Sequence, residues 1–293
     1  MKYLTHLFPL ILLAFSPVLS AADPITWNLW PGEAPGEIVT LPPESYRITD
    51  KDRPTAGKPV SRLQNVSVPT LTIYKPAPKI DTGSSVVIAP GGAFGWVVID
   101  KEGTEVADWA TSIGMTGIVL KYRVPGSTRN PDKPWLAAAQ DGQRAMSLVR
   151  SRSDELGIDP DRVGIIGFSA GGAPVNYTAF VSERLYEAVD GHDDHSFRPV
   201  FAAPIYAGLG MPEGMAQSDA FPPVFTVITY DDKDRAIGLA EGFIALKKAK
   251  VSVEMHIYSE GGHGYGLRRT DKPVTSWPDL MEDWLRLKGF LER

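Results

Sequence analysis

The chain has 293 residues, 43% of them hydrophobic, a formal net charge of −5 and no cysteine. The mild acidity and the lack of any basic block exclude the electrostatic footprint of a nucleic-acid binder. The absence of cysteine excludes a disulfide framework, thiolate catalysis and a lipid-anchored cysteine, so stability rests on a hydrophobic core that a chain of this length can build.

In chain order, the first segment reads as a targeting signal. Lys2 precedes an apolar stretch over 7–19, broken by Ser16 and two prolines, and small residues follow at Ser20, Ala21 and Ala22. That is the pattern of a cleaved secretory signal, and the stretch is short for a spanning helix of about 20 residues. Residues 1–22 are therefore expected to be removed, leaving a secreted or periplasmic protein of residues 23–293 without stable membrane insertion; a retained anchor is the alternative. Residues 23–69, rich in Pro and Gly, read as an N-terminal wrap of loops and short strands, docked by Trp27, Leu29 and Trp30 through their large apolar area.

From there the pattern alternates. Strands are expected at 71–74, 85–89, 117–124, 163–167, 200–206, 224–229 and 253–258, and helices near 102–113, 136–156, from 170 into the 180s, 236–250 and 278–291. The runs at 85–89, 117–120 and 163–166 are almost continuously apolar, as strands covered on both faces must be. Strand–helix alternation predicts a single α/β domain with a mostly parallel central sheet and helices on both faces.

Three motifs carry chemistry. Gly167-Phe168-Ser169-Ala170-Gly171 sits between an apolar strand and a helix, the context of a nucleophile elbow, in which a strained turn lifts the serine hydroxyl clear of the sheet. The Ala170 amide, at the helix N-terminus, is placed to donate to a developing oxyanion. Pro90-Gly91-Gly92-Ala93-Phe94-Gly95 follows the strand at 85–89, where a glycine-rich turn supplies a second oxyanion donor. The amides of Gly92 and Ala93 are nominated, on the expectation that Ala93 takes a negative φ.

The base follows by elimination among five histidines. His6 lies in the signal. His256 alternates with apolar residues inside a strand and reads as structural. His192 and His195 stand in an acidic loop over 190–195 whose spacing fits no tight zinc pattern, so it reads as a solvated surface loop rather than a metal site. His263, in Glu260-Gly-Gly-His263-Gly-Tyr265 after the last strand, has the glycine-flanked loop that lets an imidazole reach the serine. The carboxylate orienting it must follow the strand at 224–229, which leaves Asp231, Asp232 and Asp234. Phe94, Trp96 and Tyr265 flank the expected site as sugar-stacking or acyl-pocket residues, or as core.

The stretches LWPGEAPG (29–36), VVIAPGGAFGWV (86–97), KEGTEVADWATSIG (101–114), VLKYRVP (119–125), QDGQRAMSLVRSR (140–152), GIDPDRVGIIGFSAGG (157–172) and EMHIYSEGGHGYGLRRTDKPVTSWPDLMEDWL (254–285) together resemble a bacterial family of carbohydrate esterases. These are acetyl xylan esterase-like or feruloyl esterase-like α/β-hydrolases, also described as dienelactone-hydrolase-like. The resemblance implies the α/β-hydrolase fold. Laying the family's Asp-Asp-Pro-Val segment on Asp231-Asp232-Lys233-Asp234 makes Asp232 the acid, with Asp234 next; the Pro-Val is absent here. Ala93 stands where the family has a third glycine, and Ala173-Pro174 where it often has a histidine. The implied activity is a serine esterase, with no metal or organic cofactor, acting on acetyl or feruloyl groups of xylan or a related plant polysaccharide. A small-molecule carboxylesterase or lactonase, a serine peptidase and a non-catalytic carbohydrate-binding protein are the alternatives on the same fold.

Overall fold

The computed structural model describes residues 23–47, 49, 54–209 and 221–293; the signal expected over 1–22 lies outside them. Eleven strands are formed among the described residues: β1 (Ile25–Asn28), β2 (Ser45–Arg47), β3 (Arg62–Gln64), β4 (Thr70–Tyr74), β5 (Ser85–Ala89), β6 (Val97–Val98), β7 (Thr116–Lys121), β8 (Val163–Phe168), β9 (Ala202–Ile205), β10 (Val224–Thr229) and β11 (Val253–Tyr258). Between them run α1 (Glu105–Ser112), α2 (Gly126–Arg129), α3 (Leu136–Ser151), α4 (Ser153–Leu156), α5 (Gly172–Ala179), α6 (Arg235–Lys248) and α7 (Trp277–Leu287).

The central sheet has eight strands in the order β1-β4-β7-β5-β8-β9-β10-β11. The β1–β4 and β4–β7 pairs are antiparallel and every later pair is parallel. Every residue of β5, β8 and β10 is buried, which is why these strands are rich in Val, Ile and Phe with small residues between them and show no polar/apolar alternation. Along β8, Gly164 lies under Phe201, which packs on Trp284 of α7, and Phe168 meets Trp277 of α7, whereas Gly167 faces Val175 of α5. Strand alternation puts these neighbours on opposite faces of the sheet, so α5 covers one side and α7 the other.

The wrap is fastened from below. Trp27, Leu29 and Trp30 are buried, and Trp30 Nε1 donates to Asp141 Oδ1 at 2.9 Å. Asp141 also pairs with Arg123 where neither side chain has exposed surface. β2 and β3 join β6 in a small antiparallel sheet, registering Leu63 on Val97 and Arg62 on Val98, and so attach the wrap just after the glycine turn.

Several elements differ from expectation: the helix expected from 170 into the 180s ends at Ala179. β7 stops at Lys121 rather than 124, because the Arg123 amide donates to the Asp141 carboxylate and the Val124 amide to Val66 O. The helix expected over 136–156 breaks at Arg152 (φ −115°, ψ 24°), and α4 closes on left-handed Gly157. The last helix ends at Leu287, short of 291.

Candidate active site

β5 and β8 are parallel neighbours with Ala89 opposite Gly167, so the glycine turn and the serine turn leave the sheet side by side at its carboxyl edge. Ser169 holds a left-handed φ of +51°, a conformation that costs a non-glycine residue about 1–2 kcal/mol. It opens a 3₁₀ turn, Ser169–Gly171, that runs into α5. The flanking glycines are there for space. A Cβ on Gly167 would lie 2.2 Å from Gly171 O, and one on Gly171 would lie 2.0 Å from Ala89 O.

At the far end of the sheet, β10 and β11 pair in parallel with Thr229 opposite Tyr258, bringing the aspartate turn and the histidine loop to the same edge. His263 Nε2 is 2.8 Å from Ser169 Oγ, and His263 Nδ1 is 2.6 Å from Asp232 Oδ2. Asp232 is 2% exposed, and its other oxygen accepts from Arg235 at 3.0 Å. The neighbouring aspartates do other work. Asp231 accepts from the amides of Gly261 and Gly262 (3.2 and 2.9 Å), fixing the start of the histidine loop. The Thr229 side chain and these amides hold its carboxyl below the usual carboxylate range. Asp234 precedes α6 and makes no side-chain capping bond.

In the glycine turn, the Gly91 amide is spent on Glu102 Oε2 (2.8 Å), and those of Gly95 and Trp96 on Gly92 O. The amides of Gly92 and Ala93 enter no hydrogen bond among the described residues. Ala170 lies in the first turn of its helix, where amides lack a carbonyl of their own. The site thus presents donors on both sides of Ser169. The conformation of Ala93 corrects the expectation: its φ is +51°, and Phe94 follows at +57°. Two successive left-handed residues let the chain reverse over Gly92, whose own φ of +140° brings Trp96 O to within 1.8 Å of where a Cβ would stand.

The three aromatic candidates separate. Phe94 and Trp96 are half-buried beside the turn, and the Arg47 guanidinium lies 4.4 Å above the Trp96 ring. Tyr265 is not a substrate-facing residue: it is 5% exposed, packed edge-on against Tyr206 with ring centroids 4.5 Å apart. The acidic loop is corrected at one residue, since Gly191, Asp194 and His195 are exposed as expected. Asp193 is buried, taking bonds from Tyr186 (2.7 Å) and the Val189 amide (2.9 Å) and pairing with Arg144 (3.0 Å). Burial raises its carboxyl, but those bonds outweigh it and hold it below the usual range. His192 bonds Ser151 (2.7 Å) and His256 bonds Glu254 (2.9 Å). Among the described residues no cluster of three or more metal-ligating side chains occurs, and no helix is long and apolar enough to cross a membrane.

Sequence reasoning missed a layer of residues beneath the site. Glu102 and Lys101 are buried, in a π-helical turn (Asp100–Thr104) leading into α1. Tyr206 lies against the His263 ring (5.1 Å between centroids), and Tyr122 donates to Pro90 O at 2.7 Å. Burial pushes both phenols up, Tyr206 well above its ordinary value, and the Glu102 charge adds to it. The available signal was Lys-Glu-Gly at 101–103, charged residues next to a glycine where a helix was already expected.

Residues 71–198 match the family model BD-FAE. An acetylxylan esterase from Xylanibacter ruminicola is 24% identical over 230 residues, 71% of this chain and 46% of that protein, so the chain spans about half the length of this curated relative. Among solved structures, an acetyl ester-xyloside bifunctional hydrolase from Caldicellulosiruptor lactoaceticus superimposes with a TM-score of 0.65 at 27% identity, over 94% of this chain and 99% of that one. A thermophilic esterase from the planctomycete Thermogutta terrifontis, in a propionate-bound structure, gives 0.65 at 23% identity, over 77% of this chain and 92% of that one, a likeness of fold. Over residues 71–198 the chain is similar to the BD-FAE family model, and its fold is that of the α/β-hydrolases.

Proposed function

We propose that the protein is an exported serine esterase that removes acetyl or feruloyl groups from xylan or a related plant polysaccharide. The observation that carries the chemistry is the continuous chain Ser169 Oγ–His263–Asp232, at 2.8 and 2.6 Å, beside amides with no hydrogen-bond partner among the described residues. His263 takes the hydroxyl proton as Ser169 attacks the ester carbonyl. The oxyanion is met by the amides of Ala170 and of Gly92 or Ala93, and His263 then protonates the departing alcohol. Water, deprotonated by the same imidazole, releases the acid. Asp232 holds Nδ1 protonated, so that Nε2 faces Ser169 as an acceptor.

The acylated-carbohydrate reading is supported by the acetylxylan esterase and the acetyl ester-xyloside hydrolase among the similar proteins. Export is supported by the pattern of residues 1–22, and suits a polymeric substrate outside the cytoplasm. The test compares acetate release from acetylated xylo-oligosaccharides and ferulate release from feruloylated ones, with Ser169→Ala as control. Release of either acyl group, abolished in the variant, is the expected result. Turnover of p-nitrophenyl acetate without release from either saccharide would reduce the reading to a small-molecule esterase.

A further inference from the structure

The glycine turn and the histidine loop must keep a fixed spacing for the reaction proposed above, yet among the described residues no hydrogen bond joins 90–96 directly to 260–266. Both are tied instead to one buried pair. Glu102 Oε2 accepts from the Gly91 amide at 2.8 Å, and Glu102 Oε1 accepts from Tyr206 Oη at 3.0 Å. Tyr206 Oη in turn accepts from the Gly266 amide at 3.2 Å. Lys101 Nζ donates to Gly264 O, the carbonyl next to His263, and lies 3.5 Å from Glu102 Oε1. The contacts are close on both sides. A Cβ on Gly91 would lie 2.5 Å from Glu102 Oε2 and 3.0 Å from Ser169 Cβ, and one on Gly266 would lie 2.6 Å from Lys101 Cγ.

A π-helical turn is what allows this. It buries Lys101, Glu102 and Gly103 in succession, where a regular helix would turn at least one of three consecutive residues away; such turns recur at functional sites. A buried ion pair is a poor device for stability, since desolvation offsets its attraction and apolar replacements often do as well. Here each member of the pair spends its remaining hydrogen-bonding capacity on a different loop of the active site.

We propose that Lys101 and Glu102 are positioning residues, a strut that sets the distance between the oxyanion turn and the His263 loop. The inference rests on the esterase reading. The strut touches no reacting atom. It keeps the Gly92 and Ala93 amides and the His263 ring in register with Ser169, and its loss acts on the transition state more than on substrate binding.

The test uses Glu102→Gln and the double variant Lys101→Met/Glu102→Gln, which removes both charges together. The readouts are kcat and KM for p-nitrophenyl acetate, the thermal midpoint, and Ki for an aryl trifluoromethyl ketone, whose serine adduct places an oxyanion in the same hole. The expected result is a folded protein with kcat lowered about 10- to 100-fold, KM within about twofold, and Ki raised by the same factor as kcat falls. Unchanged kcat, or a fall in kcat without the matching rise in Ki, overturns the strut. Should both variants fail to fold, Tyr206→Phe, which removes one hydroxyl of the same connection and no charge, carries the test. It is expected to show a smaller fall in kcat, again matched in Ki, and an unmatched or absent fall refutes the proposal. The wild-type control separates the two claims: an inert wild type sinks the esterase reading, whereas an active one with unaffected variants sinks the strut alone.

Discussion

Asparagine at position 232 makes a sharp test, because the geometry dictates how its amide must sit. In the native site Asp232 Oδ1 accepts from Arg235 (3.0 Å) while Oδ2 accepts from His263 Nδ1 (2.6 Å), and the carboxylate is 2% exposed. An amide has one acceptor only. With Arg235 demanding an oxygen, the amide nitrogen turns towards His263, and two donors cannot meet, so the imidazole moves its proton to Nε2. The ring then presents N–H to Ser169 Oγ and cannot take its proton. Loss of the correct tautomer alone lowers kcat by about 10⁴-fold, or about 5.4 kcal/mol at 1.36 kcal/mol per decade. Asp232→Asn is therefore expected to lose about four decades in p-nitrophenyl acetate turnover with its thermal midpoint little changed. Adding Arg235→Met frees the amide to flip and is expected to restore about 10-fold or more. Asp234→Asn is expected to stay within about twofold of wild type. An Asp232→Asn enzyme within tenfold of wild type, or an Asp234→Asn enzyme as impaired as Asp232→Asn, would refute the assignment of the acid.

Two further outcomes concern stability. Asp193 is held ionised in the native state by Tyr186, Val189 and Arg144, with its carboxyl below the ordinary 3.8. A depressed carboxylate contributes its full stabilisation above its unfolded value and loses it as pH falls through the folded one. Asp193→Asn should therefore destabilise by about 3 kcal/mol at neutral pH, with the gap from wild type closing below about pH 4; urea titrations showing a constant gap would contradict this. Gly164→Ala would place a Cβ 2.1 Å from a ring carbon of Phe201, which is itself wedged between Trp284 and Phe290. Overpacking of that kind costs about 1–3 kcal/mol, and calorimetry should show a lower midpoint with unaltered kcat. An unchanged midpoint would mean that Phe201 yields freely.

The parallel sheet was legible because buried strands leave runs such as Val163–Phe168 that no amphipathic helix produces, and because glycines punctuate the turns after them. Ser169 could be nominated because it follows such a strand in a glycine-flanked turn, and His263 because its glycine-flanked loop follows the last strand, whose residues alternate instead. What remained hidden depends on rotation within turns and on burial. Asp231, Asp232 and Asp234 are equivalent by periodicity; the resemblance singled out Asp232, and the path from Thr229 sends Asp232 to the imidazole and Asp231 to the Gly261 and Gly262 amides. Ala93 looks like a residue needing negative φ until the reversal over Gly92 forces it left-handed. Tyr265 sits two residues from His263, yet the loop turns it into the core. Glu102 and Lys101 carry the composition of a helix surface, and their burial follows from an irregular turn that periodicity does not reveal.

The central claim is that Ser169 is the nucleophile, and labelling tests it without choosing a substrate. The native protein is treated with a fluorophosphonate, digested and mapped by mass spectrometry while residual p-nitrophenyl acetate turnover is followed. The account predicts one adduct, on Ser169, rising in step with loss of turnover, and none in His263→Ala on the same timescale. An adduct elsewhere, or full labelling of Ser169 with turnover intact, would contradict it.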